Sequence, residues 1–396
     1  MPNFPELSAS INEIKGGTFA DFAKRMAELK EADKLLPLHL GDSYLLPPKQ
    51  ALEAVDQNDL QTHIYAPVPG LPDLREALAN KHLSTAEDIF ITAGATGGLN
   101  MLSHALFSPG EEVLVITPSW PLIFGILSSA HLKPVQVPIS ENGWPDENPS
   151  AFIENLEAHL SPSTKGIYFS QPNNPAGFVF SDTYLKALSS FVKRHRLWLL
   201  LDEAYRALIY DGAPELPASI AEQNHPLADI HDQTLRVCTF SKSYAMAGHR
   251  IGYILGHEHS RQAIRKMLTH HCYQAPVSGQ KMALAALASG PEYLNTMRKN
   301  YKSFRDLSAN ALGGLASFKL SQATYYLFLD LREQLSNDEA LNDLLMNLLD
   351  QGVTLARGSV FGKDFSRFAR LCFTALPKEK LEQALSIVRQ QLKSYL

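Results

Sequence analysis

Lys242 stands between two hydroxyls in Phe240-Ser241-Lys242-Ser243, and Gly248-His249-Arg250 follows soon after. An unprotonated lysine amine adds to aldehydes to form a Schiff base, and desolvation or a nearby cation favours that state. A lone lysine is ordinarily a surface residue, so a chemical role depends on its company. Asp202-Glu203-Ala204-Tyr205 ends an apolar run; its carboxylate is either solvated in a loop or held as a positioned charge. Thr92-Ala93-Gly94-Ala95-Thr96-Gly97-Gly98 is a small-residue turn feeding a helix. Its free N–H groups suit a phosphate, but taken alone a tight turn with small residues for packing is the commoner explanation. Trp120, in Pro118-Ser119-Trp120, offers a flat ring for stacking or for burial. Gln171 to Gly177 is rich in turn formers.

Each of these groups falls just after a different predicted strand. In an open α/β sheet that edge is where ligands bind. Strands are expected at 88–92, 112–117, 133–139, 166–170, 197–201, 236–240 and 250–255, alternating with helices at 97–107, 121–130, 149–160 and 182–195. That rhythm predicts a wound α/β sheet. Long helices follow over 259–312, broken near Pro276 and at Gly290-Pro291, where proline removes regular hydrogen bonding. Beyond about residue 315 the pattern becomes strand 318–331, helix 337–349, strands 353–355 and 368–374, and helix 378–395, a smaller α+β unit. Together the groups supply an amine, a carboxylate, a phosphate cup with hydroxyls and an arginine, and an aromatic plate, which are the parts pyridoxal phosphate requires.

Composition narrows the alternatives. The 396 residues carry 36 Lys+Arg and 41 Asp+Glu, a formal charge of −5, with 45% hydrophobic residues. A nucleic-acid platform, which needs a strongly basic face, is not expected, and no apolar stretch approaches the 18 residues of a membrane span. The first six residues lack a secretory pattern, and Cys238, Cys272 and Cys372 are too few and too scattered for a disulfide framework, so a reducing, cytoplasmic compartment is expected. The turn at 92–98 has neither G-x-G-x-x-G nor P-loop spacing. His257-Glu258-His259 and His270-His271 match no metal-ligand spacing, and no metal is expected.

The segment Thr239 to Tyr253, with Lys242 and Arg250 inside it, resembles the lysine signature of the class I and II aminotransferases, fold type I enzymes that use pyridoxal 5′-phosphate. Asn173-Asn174-Pro175-Ala176-Gly177, Asp202-Glu203-Ala204-Tyr205, Gly358-Ser359-Val360-Phe361-Gly362, and Tyr65 with Gly70 and Leu74-Arg75 match in the family's order. The resemblance implies a large domain, residues 46–312, with a mostly parallel seven-stranded sheet flanked by helices. A smaller α+β domain would combine residues 313–396 with an N-terminal segment and arm, residues 1–45. It further implies that Lys242 forms the Schiff base, Asp202 binds the pyridine nitrogen, Tyr205 and Asn174 bond the ring hydroxyl, and Trp120 stacks on the ring. The backbone at Ala95 and Thr96, Ser241, Arg250 and Tyr65 of a second subunit would hold the phosphate, in a homodimer. Arg370 would clamp the substrate α-carboxylate, with Gly41 against it.

Transamination between an amino acid and a 2-oxo acid, by a ping-pong route, is the reaction this implies. A lyase, cyclase or decarboxylase on the same cofactor, or a non-catalytic sensor, is the alternative. The chain departs from the family at Ile123, where tyrosine is common, at Ala176, where threonine is, and at Arg357, where proline is. Dicarboxylate-specific members supply a second arginine near His270-His271-Cys272-Tyr273; its absence here predicts a side-chain pocket not built for aspartate.

Overall fold

The computed structural model describes residues 8, 11–12, 14, 23–210, 212–213 and 216–395. Most of residues 1–22, within the N-terminal segment and arm expected over residues 1–45, lie outside the described residues, as do the first six positions, where no secretory pattern is expected.

Seven strands form the larger sheet: β1 (Ile89–Thr92), β2 (Glu112–Thr117), β3 (Lys133–Pro138), β4 (Thr164–Ser170), β5 (Trp198–Asp202), β6 (Thr234–Thr239) and β7 (Gly252–Leu255). Their order is β1-β7-β6-β5-β4-β2-β3. Only β7 runs against its neighbours; it is antiparallel to both β1 and β6. Side chains alternate between two apolar layers: Leu114, Ile167, Leu199 and Leu201 join one core, while Val113, Val115, Leu200 and Val237 join the other. Strands covered on both faces read as continuous apolar runs, which is why they were visible in the sequence.

The helix Asp182–His195 shows how local chemistry sets an element. Ser181 caps it by accepting from the Tyr184 N–H, Asp182 lies in its first turn and Lys193, Arg194 and His195 in its last, matching the helix dipole. It ends at Arg196, which is left-handed at φ 53°. Its buried apolar residues, Tyr184, Leu185, Leu188, Phe191 and Val192, make one stripe against the sheet.

A second sheet has the order β8-β10-β9, with β8 (Tyr326–Asp330), β9 (Ala356–Arg357) and β10 (Phe368–Cys372). Helices Glu292–Leu312, Asp338–Asp350 and Lys378–Lys393 surround it. Leu36 and Leu38, from the N-terminal part of the chain, belong to the same core.

Some expected boundaries move for identifiable reasons. The helix expected from 97 begins at Gly94, in α1 (Gly94–Leu106), so the glycine-rich turn is itself the first helical turn. The strand expected from 250 begins at Gly252, because Arg250 is left-handed at φ 53°. The strand expected over 318–331 is confined to β8, since Ser317 bridges Asp330 while Ala323 bridges Ile209, and no single ladder runs between them. Val353, expected in a strand with 354 and 355, makes a parallel bridge to Leu36, and β9 starts at Ala356.

Candidate active site

Thr92, Ser170, Asp202 and Thr239 end β1, β4, β5 and β6, and register brings Ser170 opposite Asp202 and Thr239 opposite Gly252. Because β7 is antiparallel, its start lies at the edge where the parallel strands finish. Arg250 therefore arrives beside residues far from it in sequence. This edge opens into a cavity of about 200 Å³ lined by Gly41, Ala95, Thr96, Trp120, Asn174, Asp202, Tyr205, Ser241, Lys242, Arg250 and Arg370, with Ser170, Ala204, Thr239, Ala247 and Tyr326. Every residue expected to hold the cofactor or the substrate lines it except Tyr65. That side chain is 82% exposed and packs edge-on against Tyr273, 45% exposed, with ring centroids 5.2 Å apart.

Lys242 sits in the four-residue helix Phe240–Ser243, directly after β6. Its Nζ donates to the carbonyl of Gly41, and the Tyr325 hydroxyl donates to its backbone carbonyl at 2.8 Å. Burial lowers its pKa, helped by Arg370 and Arg250 and opposed by Asp42 and Cys372. An amine so placed loses its proton more readily than a solvated lysine.

Asp202 and Glu203 are adjacent carboxylates in opposite environments. Asp202 accepts from the Tyr168 hydroxyl at 2.8 Å and from the Ala204 N–H at 3.0 Å. Burial nevertheless raises it to about 6. Glu203 accepts from Arg236 at 2.9 Å and from Arg206 at 3.1 Å. Burial alone would raise its pKa, but the two guanidinium groups overcome it and bring it to about 2. Only Asp202 lines the cavity; Glu203 anchors β5 to β6 from behind.

Arg370, on β10, donates to Asn174 Oδ1 at 2.9 Å and to the His39 carbonyl at 2.7 Å. Its guanidinium lies over the rings of Tyr326, at 4.1 Å, and Phe361, at 4.7 Å. Its Nε is buried without a partner among the described residues. A buried, unpaired donor on a fixed arginine is an invitation to a carboxylate. Gly41 allows the close approach beside it: a Cβ there would meet the Tyr326 hydroxyl oxygen at 1.9 Å. The Tyr326 hydroxyl is hydrogen-bonded to that of Tyr205.

A phosphate-sized anion has a matching place at the N-terminus of α1, where Ala95 and Thr96 line the cavity with Ser241 and Arg250. Arg250 Nη1 donates to the Ala247 carbonyl at 2.9 Å. The turn also packs tightly: a Cβ on Gly94 would meet Arg250 Nη2 at 2.7 Å.

Tyr168 and Tyr326 were not singled out in the sequence. Each lies in an apolar run, where an aromatic residue reads as core and its hydroxyl leaves no periodic signal. Of the departures, Ile123 is buried core, Ala176 donates its N–H to Asn173, and Arg357 pairs through β9 with Ala369, away from the cavity lining. His257 and His259 stack ring on ring with Trp198, and no cluster among the described residues could hold a metal ion.

Known proteins resemble the chain throughout. A family model described as aminotransferase class I and II matches residues 33–388. A probable aspartate aminotransferase of Methanocaldococcus jannaschii is 29% identical over 367 residues, covering 89% of this chain and 92% of the relative. An arginine–pyruvate transaminase of Pseudomonas aeruginosa is 28% identical over 360 residues, covering 88% of each. A double mutant of Thermus thermophilus aspartate aminotransferase superposes with a TM-score of 0.86 at 26% identity, over 98% of this chain and all of that one. The edge of the sheet that gathers Lys242, Asp202, Arg250 and Arg370 thus belongs to a transaminase, and the chain is a member of the class I and II aminotransferases.

Proposed function

We infer that the cavity takes pyridoxal 5′-phosphate and that the chain moves an amino group between an amino acid and a 2-oxo acid, by a ping-pong route and as a homodimer. The observation that carries this reading is the convergence of an amine with a lowered pKa, a buried carboxylate, a helix N-terminus beside an arginine, and a second arginine with an unpaired Nε in one cavity. The donor set fits the cofactor: cations and N–H groups suit its phosphate, and Asp202 suits a protonated pyridine nitrogen.

When bound, the cofactor supplies an aldehyde for the lysine and a ring that withdraws electrons from the substrate's Cα. With the cofactor bound, Lys242 Nζ would be the base that takes the proton from Cα and hands it on. Asp202 would keep the ring nitrogen protonated, Asn174 and Tyr205 would hold the ring hydroxyl, and Trp120 would cover the ring and exclude water. Arg370 binds the substrate carboxylate, adding to its bonds with Asn174 and His39.

Tyr65 completes the phosphate site of a second copy in this reading. Its exposure supports that role, as does the concentration of exposed apolar side chains in residues 40–65: Leu40, Leu46, Leu52, Leu60 and Ile64. Among the described residues no helix is long and apolar enough to cross a membrane, and the three cysteines are unpaired, which supports assignment to the reducing cytoplasm. The relatives' names differ in their substrates, so the donor class is open to assay. Lys242→Ala provides the test: it should remove both the visible absorbance of the bound cofactor and the conversion of a panel of amino acids. Turnover surviving in that variant would end the reading.

A further inference from the structure

Tyr168 lies within β4, and its ring is fully buried. It pairs in register with Leu200, two residues before Asp202 on the same face of β5, so two adjacent parallel strands fix its contact with the carboxylate. Its hydroxyl donates to Asp202 Oδ2 at 2.8 Å, while Oδ1 accepts from the Ala204 N–H. Among the described residues no other side chain hydrogen-bonds to Asp202. Phenylalanine would fill the same apolar space, so the hydroxyl is what packing leaves unexplained.

We propose that Tyr168 is a positioning residue which, through its hydrogen bond to Asp202, sets how firmly the proton stays on the pyridine nitrogen of the bound cofactor. This rests on the reading that the cavity takes pyridoxal phosphate. A donor to an ionised carboxylate stabilises the charged form and makes it a poorer base. Asp202 then leaves the shared proton on the ring, which remains a strong electron acceptor. Burial pulls the other way and on balance raises Asp202 to about 6, with Tyr168 and Ala204 opposing it. The remaining charged and titratable groups are Glu203, behind β5, and Lys242, Arg250, Tyr205, Arg370 and Tyr326 around the cavity; none replaces the phenol's bond.

The experiment uses pyridoxal phosphate labelled with 15N at the ring nitrogen and bound to the intact protein. Tyr168→Phe should move the 15N resonance toward that of neutral pyridine and raise the cofactor's dissociation constant about tenfold, the weight of one charge-assisted hydrogen bond. Replacing Tyr168 by 3-fluorotyrosine, a stronger donor, should move the resonance the opposite way. Shifts of opposite sign do not come from altered packing, and the fluorinated residue serves as the test if the phenylalanine variant folds poorly. A bound signal that neither replacement moves overturns the role of Tyr168 alone. A wild-type protein that gives no bound signal removes the cofactor reading, and this inference with it.

Discussion

His82 is buried with its Nδ1 3.2 Å from the Ala218 carbonyl and its Nε2 2.9 Å from the Tyr253 hydroxyl. A carbonyl only accepts, so Nδ1 carries the hydrogen, and in the neutral ring Nε2 accepts from the phenol. Burial, then Arg236 and Arg206, lower its pKa to about 3; burial and Arg370 lower that of His39 to about 4. Below the ordinary histidine value of 6.5 the unfolded chain takes up protons that these folded rings refuse, so stability falls with pH between 6.5 and about 4. Each ring contributes about 1.4 kcal/mol per pH unit across that window. Asp202, raised from 3.8 to about 6, acts in the opposite sense between those values and offsets one of the two. His82→Gln should therefore lose about 1.5 kcal/mol less stability than the wild type between pH 6.5 and 5 in urea titrations. Parallel curves would show that His82 is not held neutral. None of this was legible in the sequence, because it depends on which groups enclose a ring. Lys242, Asp202 and Arg250 were legible because polar residues interrupt or end apolar runs; Tyr168 and Tyr326, inside such runs, were not.

At the scale of elements, the approach of β7 to the N-terminus of α1 decides whether the phosphate site can form. Gly252 occupies the contact: a Cβ there would meet the Gly94 carbonyl carbon at 2.6 Å, the Ala95 nitrogen at 2.7 Å and the Cys238 oxygen at 2.7 Å. All three are backbone atoms, so no side chain can rotate away. Gly252→Ala should cost about 2 kcal/mol of stability through overpacking and weaken cofactor binding more than that of a variant destabilised elsewhere. Gly248, only four residues earlier, has nothing among the described residues within 4 Å of the same atom. Gly248→Ala should stay within about 0.5 kcal/mol of the wild type in the same melts. Equal effects at the two glycines would dismiss close packing as the reason. The strands of the larger sheet were visible in the sequence because burial on both faces makes them continuous apolar runs. The direction of β7 was not, since no local pattern encodes antiparallel pairing, and the bounds of β8 and β9 are set by their register with β10, a separate segment of the chain.

For the whole molecule, the question is whether one chain suffices for a complete site. The cavity draws on both sheets, through Lys242 and Asp202 from the larger and Arg370 and Tyr326 from the smaller, yet Tyr65 projects from the surface with Tyr273 beside it. If a second copy uses that tyrosine, two defective chains can repair each other. Lys242→Ala keeps Tyr65 but lacks the amine; Tyr65→Ala keeps the amine but offers its partner no phenol. In a mixed dimer one of the two sites combines the intact lysine with the intact tyrosine, and the other carries both lesions. Co-folding the variants in equal amounts and assaying at limiting cofactor should give more turnover than the sum of the separate proteins, approaching one quarter of the wild-type sites when assembly is random. Mixing the variants after folding should give that gain only as fast as subunits exchange. Turnover equal to the sum under both regimes would place Tyr65 outside any shared site, and the cofactor's phosphate would then depend on α1, Ser241 and Arg250 of a single chain.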